Sequence, residues 1–169
     1  MEVKVFTDGS LIRRDSPAGE ILLCGYGIYF PNKEVPNVSR PFTRGRRTNQ
    51  RAELFAIYVA LLIIKKHVPY ERITIYTDSQ YAIHAVTVWV HDWKRNGWRT
   101  SQGKAVENQD IIRPIDRLLE TQRERVTFIH IKAHTGAQDE ISIGNNVADF
   151  LAKEGARRSP LKKIEPQKV

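Results

Sequence analysis

The stretch ITIYTDSQYAI, residues 73–83, is an apolar, β-branched run that ends abruptly at Asp78. The same pattern occurs near the start of the chain in VKVFTDGS, residues 3–10, where the acid is Asp8. In each stretch the β-branched and aromatic residues predict a β-strand, and a turn-prone residue follows the aspartate. The sequence therefore predicts two strands that end at carboxylates, and it raises the question of what these carboxylates do.

The composition favours one soluble domain that binds a polyanion. The 169 residues suffice for one sizeable core, and the longest apolar run, residues 54–64, is too short to span a bilayer. Lys and Arg exceed Asp and Glu by 27 − 19 = 8, which favours nucleic acid as the partner. The single cysteine, Cys24, excludes an intrachain disulfide. Because the first strand is predicted to begin almost at Met1, we expect no targeting segment and an intracellular protein, cytoplasmic or nuclear.

The hydrophobic periodicity predicts a mixed α/β domain over residues 1–158. The predicted strands are residues 3–10, 21–31, 35–42, 72–78 and 125–134, of which the first three form an antiparallel meander. The predicted helices are residues 48–67, with Thr48 or Asn49 as N-cap, a short helix from Ser79, and residues 105–122 and 144–158. The Trp-rich residues 88–104 are expected to be exposed, and the basic residues 159–169 to form a disordered tail.

Two further acids lie on helical faces that are otherwise apolar. Glu53 is followed at helical spacing by Ala56 and Ile57, and Asp149 by Ala152. Taken singly, each of the four acids also fits a structural role in a turn, an N-cap or a solvated helix face. Taken together, they predict a carboxylate cluster that a hard divalent cation keeps ionised. Oxygen ligands point to Mg²⁺ or Mn²⁺, and such a cluster can hold two ions for in-line phosphoryl transfer.

Five motifs in fixed order resemble type 1 ribonuclease H over residues 2–158: TDGS, TNQRAEL, YTDSQYAI, KAHTG and NNVADFLAKEGA. The resemblance implies a ribonuclease H-like fold, a five-stranded mixed β-sheet flanked by helices. It also implies a monomeric endonuclease that hydrolyses the RNA strand of RNA–DNA hybrids with two Mg²⁺ or Mn²⁺ ions, leaving 5′-phosphate and 3′-hydroxyl ends. The implied catalytic residues are four metal-binding carboxylates and one loop histidine: Asp8, Glu53, Asp78, Asp149 and His134.

The same resemblance implies contacts with both strands of a hybrid. Asn49 and Gln50 match contacts with RNA 2′-hydroxyls, and Arg46, Thr48 and Asn108 match a pocket for a DNA phosphate. The DNA-strand channel corresponds to Tyr81, Trp89 and Ser101. The basic protrusion of residues 88–104 also carries Trp93, Lys94, Arg95, Trp98 and Arg99.

Several readings stay open from the sequence. The tryptophans either stack on nucleic acid or pack a small core of their own, and residues 40–51, with five arginines, are either a phosphate-binding face or a solvated charged run. The predicted loop 9–25 lacks an asparagine that many relatives have, and loop 134–146 is longer than the common form. Without the N-terminal hybrid-binding domain of many relatives, low processivity is expected. Competing functions are a module that binds without cutting, and DNA strand transfer or junction resolution.

Overall fold

The computed structural model describes residues 1–133 and 135–161, and within these ranges five strands form one mixed sheet of order β3-β2-β1-β4-β5. The antiparallel part joins β1 to β2 and β2 to β3, and the parallel part joins β1 to β4 and β4 to β5. The strands are β1 Glu2–Ser16, β2 Gly19–Tyr29, β3 Val38–Pro41, β4 Arg72–Thr77 and β5 Val126–His130. This arrangement confirms the predicted five-stranded mixed sheet.

Helices cover both faces of this sheet. They are α1 Asn49–His67, α2 Gln80–His84, a π-helical turn Ala85–Trp89, α3 Val90–Arg95, α4 Gln109–Leu119 and α5 Glu140–Arg157, with a short 3₁₀ turn at Arg123–Arg125. Side chains alternate between the faces along β1, where Phe6 packs against Gly144 of α5 and Gly9 lies against Ala52 of α1. Helices α1 and α5 therefore lie on opposite faces.

The main core fills the space between the sheet and the layer of α1 and α4. It is built from buried aliphatic side chains, among them Val5, Leu54, Ile57, Ile64, Ile75, Ile111 and Ile115. A smaller cluster on the α5 face joins Phe6, Tyr76, Ile131 and Ala148. Within the described ranges, no helix is long and apolar enough to cross a bilayer.

The segment predicted as loop 9–25 is instead part of a long β-hairpin. Strands β1 and β2 stay paired from Phe6–Tyr29 to Ser16–Gly19, so only two residues remain for the turn. Exposed, charged residues such as Arg13 gave no strand pattern because this end of the ribbon extends away from the core. Its backbone hydrogen bonds to β2 hold it in strand conformation without apolar burial.

The structure also moves three predicted helix boundaries. The short helix expected from Ser79 continues through a π-helical turn to Arg95, and so includes residues 88–95 of the Trp-rich segment that was expected to be exposed. Helix α4 begins at Gln109, later than predicted, because Asn108 has the left-handed φ of 64°. Helix α5 begins earlier, at Glu140, because the Asp139 carboxylate caps it by accepting a hydrogen bond from the Ser142 N–H at 2.9 Å. The predicted loop 134–146 is correspondingly shorter.

The folded domain extends past the predicted end at residue 158. Ser159 is buried, and its hydroxyl donates to the carbonyl of Cys24 at 2.7 Å while accepting from the Cys24 N–H at 3.0 Å. The predicted disordered tail therefore does not begin at residue 159. Its remaining part, residues 162–169, lies outside the described residues.

Candidate active site

Asp8 of β1 lies beside Asp78, the residue directly after the parallel strand β4. Phe6 of β1 pairs with Tyr76 of β4, and the same register places Asp8 beside Asp78. Glu53 reaches this point from α1, so that one carboxylate oxygen from each of the three acids lies within 4.8 Å of the others. The structure thus brings together three of the four acids that the sequence singles out.

The close approach of α1 to β1 depends on Gly9. A Cβ atom at residue 9 would lie only 2.5 Å from the amide nitrogen of Glu53 and 2.8 Å from Cβ of Ala52. Gly9 is therefore not the turn residue that its sequence context suggests, because it lies within β1 and leaves room for the helix. The Thr48 hydroxyl then caps α1 by accepting from the Arg51 N–H at 3.0 Å. Glu53 is held against β1 by both features.

Burial dominates the electrostatics of this group. Asp8 and Glu53 are each only 3% exposed, and one oxygen of Glu53, Oε2, has no hydrogen-bond partner among the described residues. The pKa of Asp8 is raised from 3.8 to about 7, mainly by burial and also by the nearby charges of Asp78 and Asp149, while its hydrogen bond to Glu53 opposes the rise. Burial, and then the charge of Asp8, raise the pKa of Glu53 well above its usual value. The group is costly to ionise without a cation.

The group fits a hard divalent cation. Its three side chains offer only carboxylate oxygens, which are the ligands that Mg²⁺ and Mn²⁺ prefer. Glu53 Oε2, which has no hydrogen-bond partner among the described residues, could coordinate such a cation. The positive charge would also offset the repulsion that raises the pKa of Asp8. Asp8, Glu53 and Asp78 are thus the residues that could hold a metal.

Asp149 lies near this group but is not one of the three acids whose oxygens lie within 4.8 Å of one another. Its charge contributes to the raised pKa of Asp8, while its own Oδ2 forms an ion pair with Nζ of Lys153 at 2.9 Å. The neighbouring Asn145, one turn earlier on α5, is 2% exposed, and its Oδ1 has no partner in the described part of the chain. A role of Asp149 as a metal ligand remains a prediction, since Lys153 is its partner in the structure.

The predicted RNA contacts lie at the start of α1. Asn49 and Gln50 are both exposed in the first turn of the helix that carries Glu53. Thr48, and not Asn49, provides the N-cap, so the Asn49 side chain is available for other contacts. His134, predicted as the loop histidine, lies outside the described residues.

The predicted DNA phosphate pocket combines residues from two parts of the chain. Arg46 is exposed just before α1. The Thr48 hydroxyl caps α1, where it accepts a hydrogen bond from the Arg51 N–H. Asn108 precedes α4, where its Nδ2 donates to the Tyr81 hydroxyl at 2.9 Å and its Oδ1 accepts from Arg51 Nη1 at 3.4 Å. Tyr81, predicted for the DNA channel, is thus linked to the phosphate pocket.

Arg51 is a structural residue of this region that the sequence did not reveal. Its guanidinium binds Asp110 through two hydrogen bonds, Nη1 to Oδ1 at 2.8 Å and Nη2 to Oδ2 at 2.6 Å. This pair joins the start of α1 to the start of α4, next to Asn108. The two residues lie 59 positions apart, so no local pattern indicates the contact.

The aromatic residues of the predicted DNA channel and of the basic protrusion form one continuous row. Ring centroids are separated by 5.9 Å from Tyr81 to Trp89, 5.9 Å from Trp89 to Trp93, and 6.2 Å from Trp93 to Trp98. Trp93 and Trp98 pack against the main core, whereas Trp89 is 37% exposed. Trp89 therefore has the free surface that contact with nucleic acid requires, and Ser101 is exposed farther along the segment.

The basic side chains of the predicted protrusion differ in how far they are engaged within the protein. Lys94 Nζ binds the buried Asp116 at 2.9 Å. Arg95 pairs with the exposed Asp92, and Arg99 Nη1 donates to the carbonyl of Gly103 at 3.0 Å. Lys94 therefore ties α3 to α4, and a contact of this side chain with DNA remains untested.

Comparisons with known proteins agree with this arrangement. The RNase H family model matches residues 1–157. Ribonuclease H1 of Mus musculus is 38% identical over 157 residues, which cover 93% of this chain and 51% of the mouse protein. Ribonuclease HI of Vibrio parahaemolyticus is 36% identical over 155 residues, which cover 91% of this chain and 89% of the bacterial protein. The chain thus spans about half the length of its mammalian relatives and almost all of the bacterial one.

Solved structures show the same fold. The solution structure of the PFV RNase H domain has a TM-score of 0.73 at 25% identity, covering 94% of this chain and 96% of that domain. A foamy viral protease-reverse transcriptase in complex with an RNA/DNA hybrid has a TM-score of 0.69 at 24% identity, covering 91% of this chain but 20% of the viral one. Because the family match extends over residues 1–157 and a relative of similar length is more than a third identical, this chain belongs to the ribonuclease H family.

Proposed function

We propose that this chain is a metal-dependent endonuclease that hydrolyses the RNA strand of RNA–DNA hybrids and leaves 5′-phosphate and 3′-hydroxyl ends. The observation that carries the proposal is the group of three carboxylates within 4.8 Å, two of them buried. The matching relatives bear the name ribonuclease H, and one structural neighbour was solved with an RNA/DNA hybrid. We further propose that the protein acts as a monomer inside the cell.

Asp8, Glu53 and Asp78 would hold two Mg²⁺ ions, or Mn²⁺, and Asp149 is proposed as the fourth ligand. Bound divalent cations provide an activated water and neutralise charge on the transferring phosphate. The contribution of the chain is to fix the carboxylates on β1, α1 and the end of β4, so that their repulsion favours cation binding.

RNA is distinguished from DNA by its 2′-hydroxyl, which both donates and accepts hydrogen bonds. Asn49 and Gln50 have side-chain amides that can do the same, and they are exposed on the helix that carries Glu53. They are proposed to orient the ribose next to the phosphate that is cleaved.

The DNA strand is proposed to contact the Trp89 ring, with Tyr81 and Ser101, and to place one phosphate at Arg46, Thr48 and Asn108. Exposed aromatic rings contact bases and sugars without sequence preference. The hydrogen bond between Asn108 and Tyr81 couples these two contacts, because it fixes one side chain of each. Because one strand must be RNA and the other DNA, this mode of recognition would exclude duplex RNA and duplex DNA as substrates.

A cleavage assay tests this function. Labelled RNA–DNA hybrid, duplex DNA, duplex RNA and a DNA junction are incubated with the chain, with Mg²⁺ or EDTA. We expect cleavage of the RNA strand of the hybrid alone, only with Mg²⁺, and its loss in Glu53→Gln. The matched control is Glu124→Gln, which removes an exposed acid outside the site. Hybrid binding without cleavage would identify a non-cutting module, and junction cleavage would identify the third function.

A further inference from the structure

The five arginines of residues 40–51 separate into two groups in the structure. Arg47 and Arg51 are only 7% and 8% exposed, whereas Arg40, Arg44 and Arg46 are exposed. The buried pair supports the segment between β3 and α1. The exposed three project from it.

Arg51 is the inner support of this segment. Besides binding Asp110, its Nη2 donates to the carbonyl of Arg44 at 3.0 Å, and its guanidinium lies 5.9 Å from the centre of the Phe42 ring. Gly45, with φ +77°, turns directly over it, since a Cβ atom there would lie 3.2 Å from Arg51 Nη2. The backbone that presents Arg44 therefore rests on the buried guanidinium of Arg51, which Asp110 holds in place. Because this backbone is already ordered, binding costs little conformational entropy there.

Arg47 and Arg158 fasten the outer part of the same region. Arg47 donates to the carbonyls of Leu22 at 2.7 Å and Pro160 at 2.9 Å, which joins β2 to the segment after α5. Arg158 then reaches the edge strand β3, where it donates to Oγ of Ser39 at 2.9 Å. Ser39 faces α5, whereas Arg40, the next residue of β3, faces the α1 side of the sheet and hydrogen-bonds Tyr26, so Arg158 and Arg40 lie on opposite faces. We call the three exposed arginines of the segment, Arg40, Arg44 and Arg46, the arginine face.

The members of the arginine face have no close acidic partner. Within residues 1–133 and 135–161, none of the three forms an ion pair. Asp110 acts on Arg44 electrostatically, but its two carboxylate oxygens are bound by Arg51. Exposed guanidinium groups without an ion-pair partner suit regularly spaced phosphates better than a single small anion.

The arginine face and Trp89 lie on opposite sides of the carboxylates. Strand β3 lies two strands from β1, hence about 10 Å to one side of Asp8, while the helical segment carrying Trp89 follows β4 on the other side. A duplex that crosses the carboxylates and touches Trp89 would continue towards β3. This continuity favours nucleic acid over an acidic protein as the occupant.

We propose that Arg40 and Arg44 extend the contact at Arg46 and bind further backbone phosphates of the same hybrid, on the side of the carboxylates away from Trp89. The proposal rests on the proposed function. Its consequence is that the chain grips a longer duplex than cleavage itself requires. Affinity should therefore depend on hybrid length and on salt through these arginines.

The test compares Arg40→Gln/Arg44→Gln with wild type on a short hybrid of about 8 base pairs and a long one of about 18, which differ by roughly 34 Å in length. Affinity is measured by fluorescence anisotropy in EDTA, and kcat/KM with Mg²⁺. The matched control is Arg117→Gln/Arg125→Gln, which removes two exposed arginines from α4 and the 3₁₀ turn.

We expect the Arg40/Arg44 variant to lose about tenfold in affinity for the long hybrid, less for the short one, and roughly 2 units of the slope of log Kd against log salt. An equal loss on both lengths, an unchanged salt slope, or the same loss in the control would overturn the proposal. If wild type cuts neither hybrid, the proposed function fails by itself, because binding in EDTA still tests the arginine face. Equal loss of affinity for an acidic peptide would also overturn it, since the occupant would not be nucleic acid.

Discussion

A carboxylate oxygen of Asp8 lies within 4.8 Å of one from Glu53, and both side chains are almost fully buried. Burial, and then the charge of Asp8, raise the cost of ionising Glu53. Burial also raises the pKa of Asp8, although its hydrogen bond to Glu53 acts in the opposite direction. Strand β1 and helix α1, which hold them, pack in one large core, so the pair cannot separate to relieve the repulsion. This relationship makes the stability of the protein depend on protons and on metal.

The first prediction concerns pH. Since the pKa of Asp8 is raised from 3.8 to about 7, the folded state binds this proton more tightly than the unfolded state. The contribution of this bound proton to the free energy of unfolding is fully present below about pH 4. It is lost as pH rises through about 7, which lowers the free energy of unfolding by at most about 4 kcal/mol. In EDTA, the free energy of unfolding in urea should therefore fall over this range, and Mg²⁺ should oppose the fall. Asp8→Asn should flatten the profile; an identical slope in this variant would contradict the assignment.

The second prediction concerns Asp78→Asn. This change keeps the shape of the side chain but removes the charge of a proposed metal ligand, so cleavage should be abolished while folding and hybrid binding remain largely intact. Binding should be unchanged or tighter, because repulsion of the phosphate is reduced. Cleavage rate, melting temperature and affinity are measured with Glu124→Gln as control. Residual turnover within about tenfold of wild type would rule out catalysis through this carboxylate.

The third prediction separates two tryptophans of the aromatic row. Trp89→Ala should weaken hybrid binding by roughly 1–3 kcal/mol with little change in melting temperature, because the ring is exposed. Trp98→Ala should instead lower the melting temperature, because this ring packs against the core and lies 4.9 Å beneath the Arg113 guanidinium. If Trp89→Ala lowers the melting temperature and leaves affinity unchanged, Trp89 belongs to the core.

The fourth prediction concerns Lys94, which the family resemblance assigns to the basic protrusion. Its ammonium and the Arg123 guanidinium both bind Asp116, whose side chain is 5% exposed. Lys94→Ala should destabilise the fold by about 1 kcal/mol, since Lys94 is itself 38% exposed and Asp116 keeps Arg123. Arg95→Ala is the matched control, because its partner Asp92 is exposed. Weaker hybrid binding at an unchanged melting temperature would show that Lys94 serves the DNA instead.

The fifth prediction rests on sequence alone, since His134 lies outside the described residues. A histidine between a strand and a polar, glycine-containing segment suits proton transfer to the leaving 3′-oxygen or release of product better than permanent ligation of Mg²⁺. His134→Ala should slow steady-state turnover roughly 10- to 100-fold. Single-turnover rates divide the two roles, because a release defect leaves them unchanged. Unchanged rates in both assays would exclude both roles.

The acids at the centre could be predicted because each interrupts a strong apolar pattern. Asp8 and Asp78 each follow a run of buried residues in a parallel strand, and Glu53 lies on an apolar helix face, so a charge at each position stands out in the sequence. The β1–β2 hairpin beyond the core carries no such pattern, because backbone pairing maintains it. The contact of Arg51 with Asp110 joins distant parts of the chain and depends on how two helices meet, which no local spacing indicates.

Helix α5 packs directly on the backbone of β2, and the two approach so closely that glycine is required at the contact. A methyl group at Gly27 would come within 2.5 Å of the carbonyl oxygen of Ala148, and one at Gly144 within 2.4 Å of the Phe6 ring. Asp149 follows Ala148 directly, so lifting the helix displaces this carboxylate. Random mutagenesis should accordingly find inactive variants at glycines that no nucleotide ever touches, and such variants would be mistaken for substrate contacts if activity were the only trait scored.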